Sequence, residues 1–511
     1  MSATLLAQPG DIEPVITIIH TNDTHSQIEP AIGRQSGQPY GGVVERAALI
    51  DLFRQQDPDL LYLDAGDMVQ GSPYFNIFNG ELEMLCMNQQ QLLATTFGNH
   101  EFDNGIEGLH AMLSLADFPV ISCNYHCEGT ALESLVIPHL ILVNHGVKIG
   151  ITGATCPPQG LIAARNWEGI RYEDPLTAVA REAAFLRSEG CDLVILLSHI
   201  GYKATASEDE MLDTQLASQS HDLDLIIGAH THVNIERGTS VMDADQHPVF
   251  ITQTGGKANP IGYLQITMKT GSRYPECQYS VDSIVCRKLH PEDFDITGLG
   301  REVEELVAPY RESLADKMSV SLAQAPQLLT KGHPQSTLGN FTADAMLVMG
   351  ERLTGQHIDA SLTNIGGLRN DLLAGDVTVG TLYSIFPFEN ALVVLDLKGS
   401  DLMELIDSNA GRKLDCWAGT QITLAMDGDR CYAADAKVGG QPIDPDRIYH
   451  ICTVDYLAEG NSGMTALTRA AQTLKTGTTI RDAMISYVRS LGEQGKAVEA
   501  SIDDRVIDHT K

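Results

Sequence analysis

The chain has 511 residues and is 43% hydrophobic, enough for more than one core, because single cores stop growing at about 250–300 residues. Its formal charge of −33, from 67 acidic and 34 basic side chains, opposes the surfaces of nucleic acid and of anionic lipid. Composition therefore argues against a nucleic-acid scaffold and against a membrane partner, whereas a small phosphate compound can still bind if cations cancel its charge locally.

Residues 1–14 carry no Lys or Arg and only one short apolar stretch, so no secretory signal is evident, and no run reaches the ~20 apolar residues of a membrane span. Ten scattered cysteines fit reduced thiols better than a disulfide framework. Together these features predict a cytoplasmic protein. Cys123, His126 and Cys127 resemble half of a zinc clip, but they extend an apolar run and have no second cysteine pair, which favours buried thiols.

The first three hundred residues alternate short apolar runs with longer amphipathic ones, a pattern typical of layered α/β proteins. Helices are predicted at 43–55 and 176–188, the second ended by Gly190. The predicted strands, in chain order, are 15–20, 60–64, 93–97, 119–122, 135–143, 147–152, 192–198, 223–228, 249–254 and 262–267.

A charged amphipathic helix is predicted at 299–316, with Val303, Leu306 and Val307 on one face. We interpret it as a linker between two domains, at 14–298 and 317–511. The second domain starts a new α/β pattern with Gly-rich turns near 364–367 and 459–463.

Polar side chains follow five of the predicted strands. Because ligands of open α/β sheets bind beyond the carboxyl ends of strands, these loops can converge on one pocket. A single Asp-x-His loop is usually a solvated turn, but five such loops together indicate a metal site, and donors without thiolate suit Zn, Mn, Co, Fe or Mg. The loops are Thr21-Asn22-Asp23-Thr24-His25, Ala65-Gly66-Asp67, Gly98-Asn99-His100-Glu101, Ser198-His199 and Gly228-Ala229-His230-Thr231-His232.

These strings, together with Gly41-Gly42 and Gln70-Gly71-Ser72-Pro73, resemble the 5′-nucleotidase family of calcineurin-like metallophosphoesterases in both order and spacing. The resemblance continues into the second domain and so covers nearly the whole chain. It implies an N-terminal four-layer αββα metallophosphoesterase sandwich followed by a smaller C-terminal α/β nucleotide-binding domain.

The resemblance also implies a site with two divalent metal ions and a metal-bound water as the nucleophile of an in-line displacement. One ion would be held by Asp23, His25 and His232, the other by Asn99, His199 and His230, with Asp67 bridging the two. Some relatives have Gln at the position of His232, so this residue is expected to tune metal preference.

Two further residues are expected to be catalytic. The resemblance makes His100 and Asp103 a dyad, in which Asp103 orients the imidazole and His100 stabilises charge on the phosphoryl group or the departing oxygen. The alternative is that His100 only packs the loop.

In the second domain the resemblance implies a substrate site made of five side chains. Arg369 ends a Gly-rich turn suited to an anion, Phe388 and Tyr456 would stack on the two faces of a nucleobase, and Asn390 would hydrogen-bond its edge. Asn340 is placed in the same site, in a segment that carries extra arginines in some relatives and none here. This weaker clamp favours monophosphates over diphosphates.

The chain departs from the pattern of the family at 461–464, where Asn-Ser-Gly-Met replaces the usual Gly-Asp-Gly-aromatic and removes the Asp that the resemblance directs at the ribose hydroxyls. The leading hypothesis is a 5′-nucleotidase that releases phosphate from nucleoside monophosphates. The departure motivates an alternative on the same metals, a 2′,3′-cyclic nucleotide phosphodiesterase or nucleotide-sugar hydrolase. A catalytically silent nucleotide-binding protein is a third reading, but it predicts eroded ligands, whereas all seven are present.

Overall fold

The computed structural model describes residues 13–32, 39–159, 161–202, 212–388 and 390–510. Most of the N-terminal stretch in which no secretory signal was evident lies outside these residues. The chain forms two compact units. The first combines the residues up to Val69 with Phe78–Pro157 and Arg165–Ala308, and the second combines Gln70–Ile77 and Pro158–Ala164 with the residues from Pro309 onward.

Two large sheets form the centre of the first unit. The strand order of the four-stranded sheet is Tyr279–Leu289, Ile261–Thr270, Val15–Thr21, Leu61–Asp64. The strand order of the six-stranded sheet is Thr239–Met242, Pro248–Thr252, Leu225–Gly228, Leu193–His199, Val147–Thr155, His139–Asn144.

Each sheet contains neighbouring parallel strands that end at the same edge. Val15–Thr21 runs parallel to Leu61–Asp64 in the smaller sheet. In the larger sheet, Leu193–His199 runs parallel to both Val147–Thr155 and Leu225–Gly228. The loops that carry the predicted metal ligands therefore begin at carboxyl ends of parallel strands.

The hydrophobic core lies between the two sheets, and the two-residue period of the strands assigns side chains to it. Ile195 and Leu197 belong to the inter-sheet core, whereas Val194 and Leu196 pack on the other face. Helix Pro175–Ser188 and helix Asp213–Gln219 cover that outer face of the six-stranded sheet.

Helix Val43–Gln56 covers the outer face of the four-stranded sheet, where the Phe53 ring lies 5.0 Å from the Tyr263 ring. The four-layer αββα arrangement expected from the resemblance is thus present. The remaining elements of this part of the chain are the strand pairs Ala31–Ile32 with Pro39–Tyr40, Tyr125–His126 with Arg171–Tyr172, and Val120–Ile121 with Val136–Ile137, and the helices Pro73–Phe78, Glu81–Gln89, His100–Phe102, Gly105–Leu113, Ala164–Asn166 and Pro291–Asp293.

Two of the strand predictions need correction, and one long strand was missed. Residues 93–97 form no strand and make only the isolated bridges Leu63–Ala94 and Thr95–Val120. The strand predicted at 135–143 is two strands, Val136–Ile137 and His139–Asn144, in different sheets, because the intervening Pro138 has no N–H for a ladder. The long strand Tyr279–Leu289 was not predicted.

The predicted charged helix is present as Leu299–Met318, with Val303 and Val307 fully buried. The boundary between the two compact units falls inside it, between Ala308 and Pro309. None of the helices within the described ranges is both long and apolar enough to cross a bilayer.

The second unit contains a five-stranded sheet in the order Cys416–Ala418, Ala360–Thr363, Ile448–Val454, Ala391–Lys398, Thr473–Thr479. A four-stranded sheet has the order Gln441–Pro442, Arg430–Val438, Thr420–Asp427, Val506–Asp508, and Ser321–Ala325 pairs with Gly375–Thr378. Its helices are Thr337–Thr354, Ile365–Gly367, Val379–Ile385, Gly399–Arg412, Asp455–Ala458, Asn461–Gly463, Thr465–Arg469 and Ile480–Glu493.

Side-chain caps fix where several of these helices begin. The Ser336 hydroxyl accepts from the Gly339 N–H, and the Thr479 hydroxyl accepts from the Asp482 N–H. Helices and sheets enclose one hydrophobic core that includes the fully buried Trp417 and Tyr449. The second unit is therefore an α/β domain, as expected.

Candidate active site

The predicted metal ligands lie on loops with an unusual backbone conformation. Asp23, His25, Asp67, His230 and His232 all have positive φ, between 47° and 70°. Non-glycine residues adopt this left-handed region only where surrounding contacts hold them there, and such residues cluster at functional sites. The five side chains are thereby turned toward one another.

Three of these side chains form a first group of donors. The Nε2 atoms of His25 and His232 are 3.0 Å apart, and His232 Nε2 lies 3.3 Å from Asp23 Oδ1. One ligand atom from each of the three residues lies within 4.8 Å of the others. This is the set that the family resemblance assigned to one ion.

A second group of donors adjoins the first. His199 Nε2 lies 3.3 Å from Asp67 Oδ2 and 3.9 Å from Asp23 Oδ1, and the structure brings these three residues within 4.8 Å. Asn99 Oδ1 lies 3.1 Å from His230 Nδ1.

The Asp67 carboxylate lies between the two groups. Its Oδ2 atom is 3.8 Å from His25 Nε2 on one side and 3.3 Å from His199 Nε2 on the other. A bridging role needs this position. Asp23 also approaches both groups, so the division of ligands between two ions stays a prediction.

Backbone hydrogen bonds join the ligand loops directly. The N–H of Asp23 donates to the Gly66 carbonyl and the N–H of His25 to the Asp67 carbonyl, both at 2.9 Å. The N–H of His230 donates to both carboxylate oxygens of Asp23 at 3.1 Å. The loops with Asp67 and His230 are therefore each bonded to the loop with Asp23, although the three loops are far apart in sequence.

Glu101 is a functional residue to which the sequence analysis gave no role. Its buried carboxylate accepts three backbone hydrogen bonds, from Met68 at 2.8 Å, Asp67 at 3.1 Å and Gly98 at 2.6 Å. Burial, reinforced by the nearby Asp67 charge, raises the pKa of Glu101 to about 7. Its position next to His100, in an otherwise recognisable motif, was the signal in the sequence from which a role could have been predicted. Its contacts show that Glu101 ties the Asp67 loop to the Asn99 loop.

Asn22 has a similar structural role that residue type alone did not reveal. Its amide donates to the Gly255 carbonyl at 2.6 Å, and its Oδ1 accepts from the N–H and the hydroxyl of Thr254. Gly98 is needed for a steric reason, since a Cβ atom there would collide with the Asp67 carboxylate. Both residues hold ligand loops in place.

The electrostatics of the cluster show what it is built to bind. Burial opposes ionisation of Asp67, but the charges of His199 and His100 hold the pKa of its carboxyl well below the usual range. Burial disfavours the charged form of His199, yet the Asp67 and Asp23 carboxylates raise its pKa to about 10. The pKa of His230 is lowered to about 4 by burial and by the His199 charge.

Buried carboxylates in this cluster therefore require positive charge beside them, which divalent cations supply. The donor set of carboxylates, imidazoles and one amide, without thiolate, suits the divalent ions named from the sequence. The residues present thus fit a divalent-metal centre.

The predicted dyad is also assembled. His100 Nδ1 lies 3.1 Å from Asp103 Oδ2 and 3.3 Å from Oδ1, and both side chains are partly exposed. The His100 ring lies 5.4 Å from the His25 ring, and the N–H of His100 donates to Asp67 Oδ1 at 2.9 Å. The imidazole thus stands beside the metal cluster with its Nδ1 side directed at a carboxylate.

In the second unit, the predicted substrate segments meet at one edge of the five-stranded sheet. Ala360–Thr363 and Ile448–Val454 are parallel neighbours, so the segments with Arg369 and Tyr456 follow carboxyl ends at that edge. Ala391–Lys398 is antiparallel to Ile448–Val454, with Leu392 opposite Val454, so the strand Ala391–Lys398 begins at the same edge. The segment with Phe388 and Asn390, which leads into this strand, therefore lies at that edge too. We call this the substrate edge; Glu389 lies outside the described residues.

Contacts at the substrate edge join some of the predicted residues. The Arg369 guanidinium carbon lies 5.6 Å from the centre of the Phe388 ring. The N–H of Tyr456 donates to Asp455 Oδ1 at 2.9 Å, and the Asn390 carbonyl accepts from Ile480 at 2.9 Å. Their contacts with a ligand stay predictions.

Asn340 has a contact that accounts for its side chain without a ligand. It is 3% exposed, on helix Thr337–Thr354, and its amide donates to the Ser501 carbonyl at 2.8 Å. The family departure at 461–464 also has a structural use, because the buried Asn461 amide donates to the Tyr456 carbonyl at 2.9 Å. Here Asn461 supports the backbone of a predicted base-binding residue.

Comparison with known proteins identifies the family to which each domain is similar. The calcineurin-like phosphoesterase profile matches residues 16–234, and the profile of the 5′-nucleotidase C-terminal domain matches residues 317–469. A 5′-nucleotidase from Diplobatis ommata is 26% identical over 538 residues, covering 95% of this chain and 89% of the relative. An apyrase from Tabanus yao is 27% identical over 536 residues, covering 94% of this chain and 93% of the relative.

Among solved structures, a 5′-nucleotidase precursor from Thermus thermophilus superposes with a TM-score of 0.84 at 26% identity, covering 97% of this chain and all of that one. The two profiles thus match the two domains in turn, and the similarity runs through nearly the whole chain. The chain therefore belongs to the 5′-nucleotidase family of calcineurin-like phosphoesterases and is a metal-dependent phosphoester hydrolase.

Proposed function

We propose that this protein is a 5′-nucleotidase that releases phosphate from nucleoside monophosphates. The observation that carries the proposal is the convergence of Asp23, His25, Asp67, His199 and His232 into one donor cluster, in which all but His232 are buried. Relatives named 5′-nucleotidase that match over both domains support the choice of substrate.

In this proposal Asp23, His25 and His232 hold one divalent ion, and Asn99, His199 and His230 hold the other, with Asp67 shared. When bound, such ions neutralise charge on a phosphoryl group and make water a stronger nucleophile near neutral pH. The chain fixes the ligands in advance, through the backbone bonds between loops and through Glu101.

His100 has the separate task of stabilising charge that develops on the phosphoryl oxygens or on the leaving oxygen. The Asp103 carboxylate accepts a hydrogen bond from His100 Nδ1. This bond fixes the orientation of the ring, and the negative charge of the carboxylate favours the imidazolium form of His100. A leaving nucleoside oxygen can take a proton from His100 Nε2 in this arrangement.

The substrate edge of the second unit supplies selectivity. Arg369 offers a planar set of donors for an anion, while Phe388 and Tyr456 offer aromatic faces to a nucleobase whose edge Asn390 reads. The proximity of Arg369 to Phe388 supports their use by one ligand.

A second candidate is hydrolysis of 2′,3′-cyclic nucleotides at the same metals. The observation that favours it is the segment 461–464, in which the Asn461 amide donates to the Tyr456 carbonyl and Ser462 stands where the family resemblance implies an Asp. A ribose without its usual carboxylate partner is held less strictly.

A hydrolysis screen tests both candidates. The purified protein is assayed with Zn²⁺, Mn²⁺, Co²⁺ or Mg²⁺ against nucleoside monophosphates, diphosphates, 2′,3′-cyclic nucleotides, nucleotide sugars and a small aryl phosphate. Highest kcat/KM on monophosphates, with phosphate and nucleoside as products, supports the nucleotidase. Preference for cyclic nucleotides selects the second candidate, and hydrolysis of the aryl phosphate alone contradicts both.

A further inference from the structure

The turn that carries Arg369 is held at both ends by side chains from elsewhere in the second unit. At its start, the N–H of Ile365 donates to Asp415 Oδ1 at 2.9 Å. At its end, Lys331 Nζ donates to the carbonyl of Leu368 at 2.7 Å and to that of Arg369 at 3.3 Å. The backbone around the guanidinium is therefore fixed from outside the turn.

Sheet register brings Asp415 to this place. Asp415 immediately precedes Cys416–Ala418, which is antiparallel to Ala360–Thr363 and pairs Cys416 with Thr363. The carboxylate thus lies opposite the residues that leave the neighbouring strand. It accepts from the second backbone N–H beyond that strand's last residue.

Asp415 is itself held by a buried amide. Asn409 Nδ2 donates to Asp415 Oδ2 at 2.8 Å, and the N–H of Asp415 donates back to Asn409 Oδ1 at 3.0 Å. Trp417 Nε1 also donates to Asn409 Oδ1 at 3.0 Å. Since Asn409 and Trp417 are 3% and 2% exposed, the direction of these bonds is set by buried, well-packed groups.

We propose that Asp415, oriented by Asn409, is a positioning residue that sets the conformation of the Arg369 turn and thereby the affinity for the substrate's anionic group. The proposal rests on the proposed function, in which Arg369 contacts the nucleotide. Asp415 does not bind the substrate itself, because its carboxylate has the same sign of charge as a phosphate and both of its oxygens already accept hydrogen bonds.

The hydrogen bond between Asn409 and Asp415 provides a sharp test, because the amide is the donor and the carboxylate is the acceptor. In Asp415→Asn, the new amide can still accept from Ile365, but its NH₂ then faces the NH₂ of Asn409. In Asn409→Asp, two carboxylates face each other instead. The double variant Asp415→Asn/Asn409→Asp reverses the order and restores one donor against one acceptor, while Trp417 keeps an acceptor.

The measurement is KM and kcat for a nucleoside monophosphate and for a small aryl phosphate, with thermal unfolding of each variant. Each single variant should raise KM for the nucleotide about 10-fold, with kcat changed by less than about 3-fold and the aryl phosphate unaffected. The double variant should recover most of this loss. Asp376→Asn, an exposed carboxylate of the same unit, is the matched control and should behave as wild type.

Arg369→Ala separates failure of this inference from failure of the proposed function. If Arg369→Ala raises the nucleotide KM but both single variants leave it unchanged, the positioning role is overturned and the nucleotidase stands. If Arg369→Ala also has no effect, the proposed nucleotide contact fails. Where Asp415→Asn does not fold, Asn409→Asp and the double variant decide, and equal losses on both substrates without recovery overturn the inference.

Discussion

Asp67 is the residue on which the two donor groups of the metal cluster depend most directly. Its carboxylate is buried, stands between His25 and His199, and accepts from the N–H of His100. Because one charge there balances positive charge on both sides, its effect on the site should exceed that of a ligand at either end.

Replacing this carboxylate by its isosteric amide tests the bridging role. Asp67→Asn should lower turnover by about 10²-fold or more and reduce the occupancy of both ions, because it removes a charge that both share. Metal content per chain and turnover at saturating metal are the readouts, with the exposed Asp282→Asn as control. Full occupancy with near wild-type turnover would contradict bridging.

His100 should affect chemistry without affecting metal content. His100→Asn is expected to lower kcat by about 10²–10³-fold, since a group that stabilises transition-state charge is lost while the ligands remain. Asp103→Asn should act in the same direction but less strongly, because the imidazole keeps its place without its partner. If His100→Asn strips metal yet turns over normally in excess metal, the residue only packs the loop.

Residue types and order were enough to predict which side chains the structure brings together, because Asp, His and Asn in five strand-following loops form an unusual pattern. Glu101 and Asn22 gained no predicted role, since their function is to bind backbone groups of loops distant in sequence. Such contacts depend on tertiary structure, and no local pattern encodes them. Asn340 illustrates the converse, a polar residue in a suggestive segment whose amide has an internal partner.

At the scale of elements, strand prediction found the buried apolar strands and missed a half-exposed one, and the largely buried run 93–97, which forms no strand, shows that burial alone does not make a strand. Leu193–His199 is buried along its length and has a continuous apolar run. Tyr279–Leu289 is half exposed, lies at the edge of its sheet and includes Asp282, Arg287 and Lys288, so its sequence lacks that signal. Pro138 could have predicted that the segment 135–143 forms two strands and not one.

Elements also explain how the substrate edge is built, since strand direction places three separate segments at one end of the five-stranded sheet. Arg481, which is 4% exposed, strengthens this arrangement by donating to the Pro387 carbonyl at 3.1 Å. The aromatic Phe388 follows directly. The backbone of the predicted base-binding segment is therefore anchored to helix Ile480–Glu493.

The two predicted stacking residues should contribute to nucleotide affinity and little to the chemical step. Phe388→Ala and Tyr456→Ala should each raise the nucleotide KM by about 5- to 150-fold, corresponding to ~1–3 kcal/mol per stacked face. Hydrolysis of a small aryl phosphate should be nearly unchanged. Equal losses on both substrates would exclude the base sandwich, and the double variant should fall short of additivity because both rings bury the same base.

On the scale of the whole molecule, a formal charge of −33 has to coexist with an anionic substrate. The anionic substrate needs positive charge near it. In the first unit the carboxylates of the cluster favour bound cations, and in the second unit Arg369 supplies a positive charge. The acidic composition thus indicated, before any motif was considered, that a phosphate ligand would need cations beside it.

The two units have separate hydrophobic cores, one between the large sheets of the first and one around Trp417 in the second. Since all seven predicted metal ligands lie in the first unit, metal should stabilise that unit selectively. At a free metal concentration of 100 Kd the stabilisation is about 2.7 kcal/mol. For a unit of this size, that is a rise of roughly 4 °C in its unfolding temperature.

Differential scanning calorimetry with and without a chelator tests this expectation. Removal of metal should shift one transition downward and leave the other in place, whereas a nucleoside without phosphate should shift only the second transition upward. Asp67→Asn should lose most of the metal-dependent shift while keeping the nucleoside-dependent one, because its substitution lies outside the second unit. A single transition that responds to both ligands would show instead that the two units unfold cooperatively.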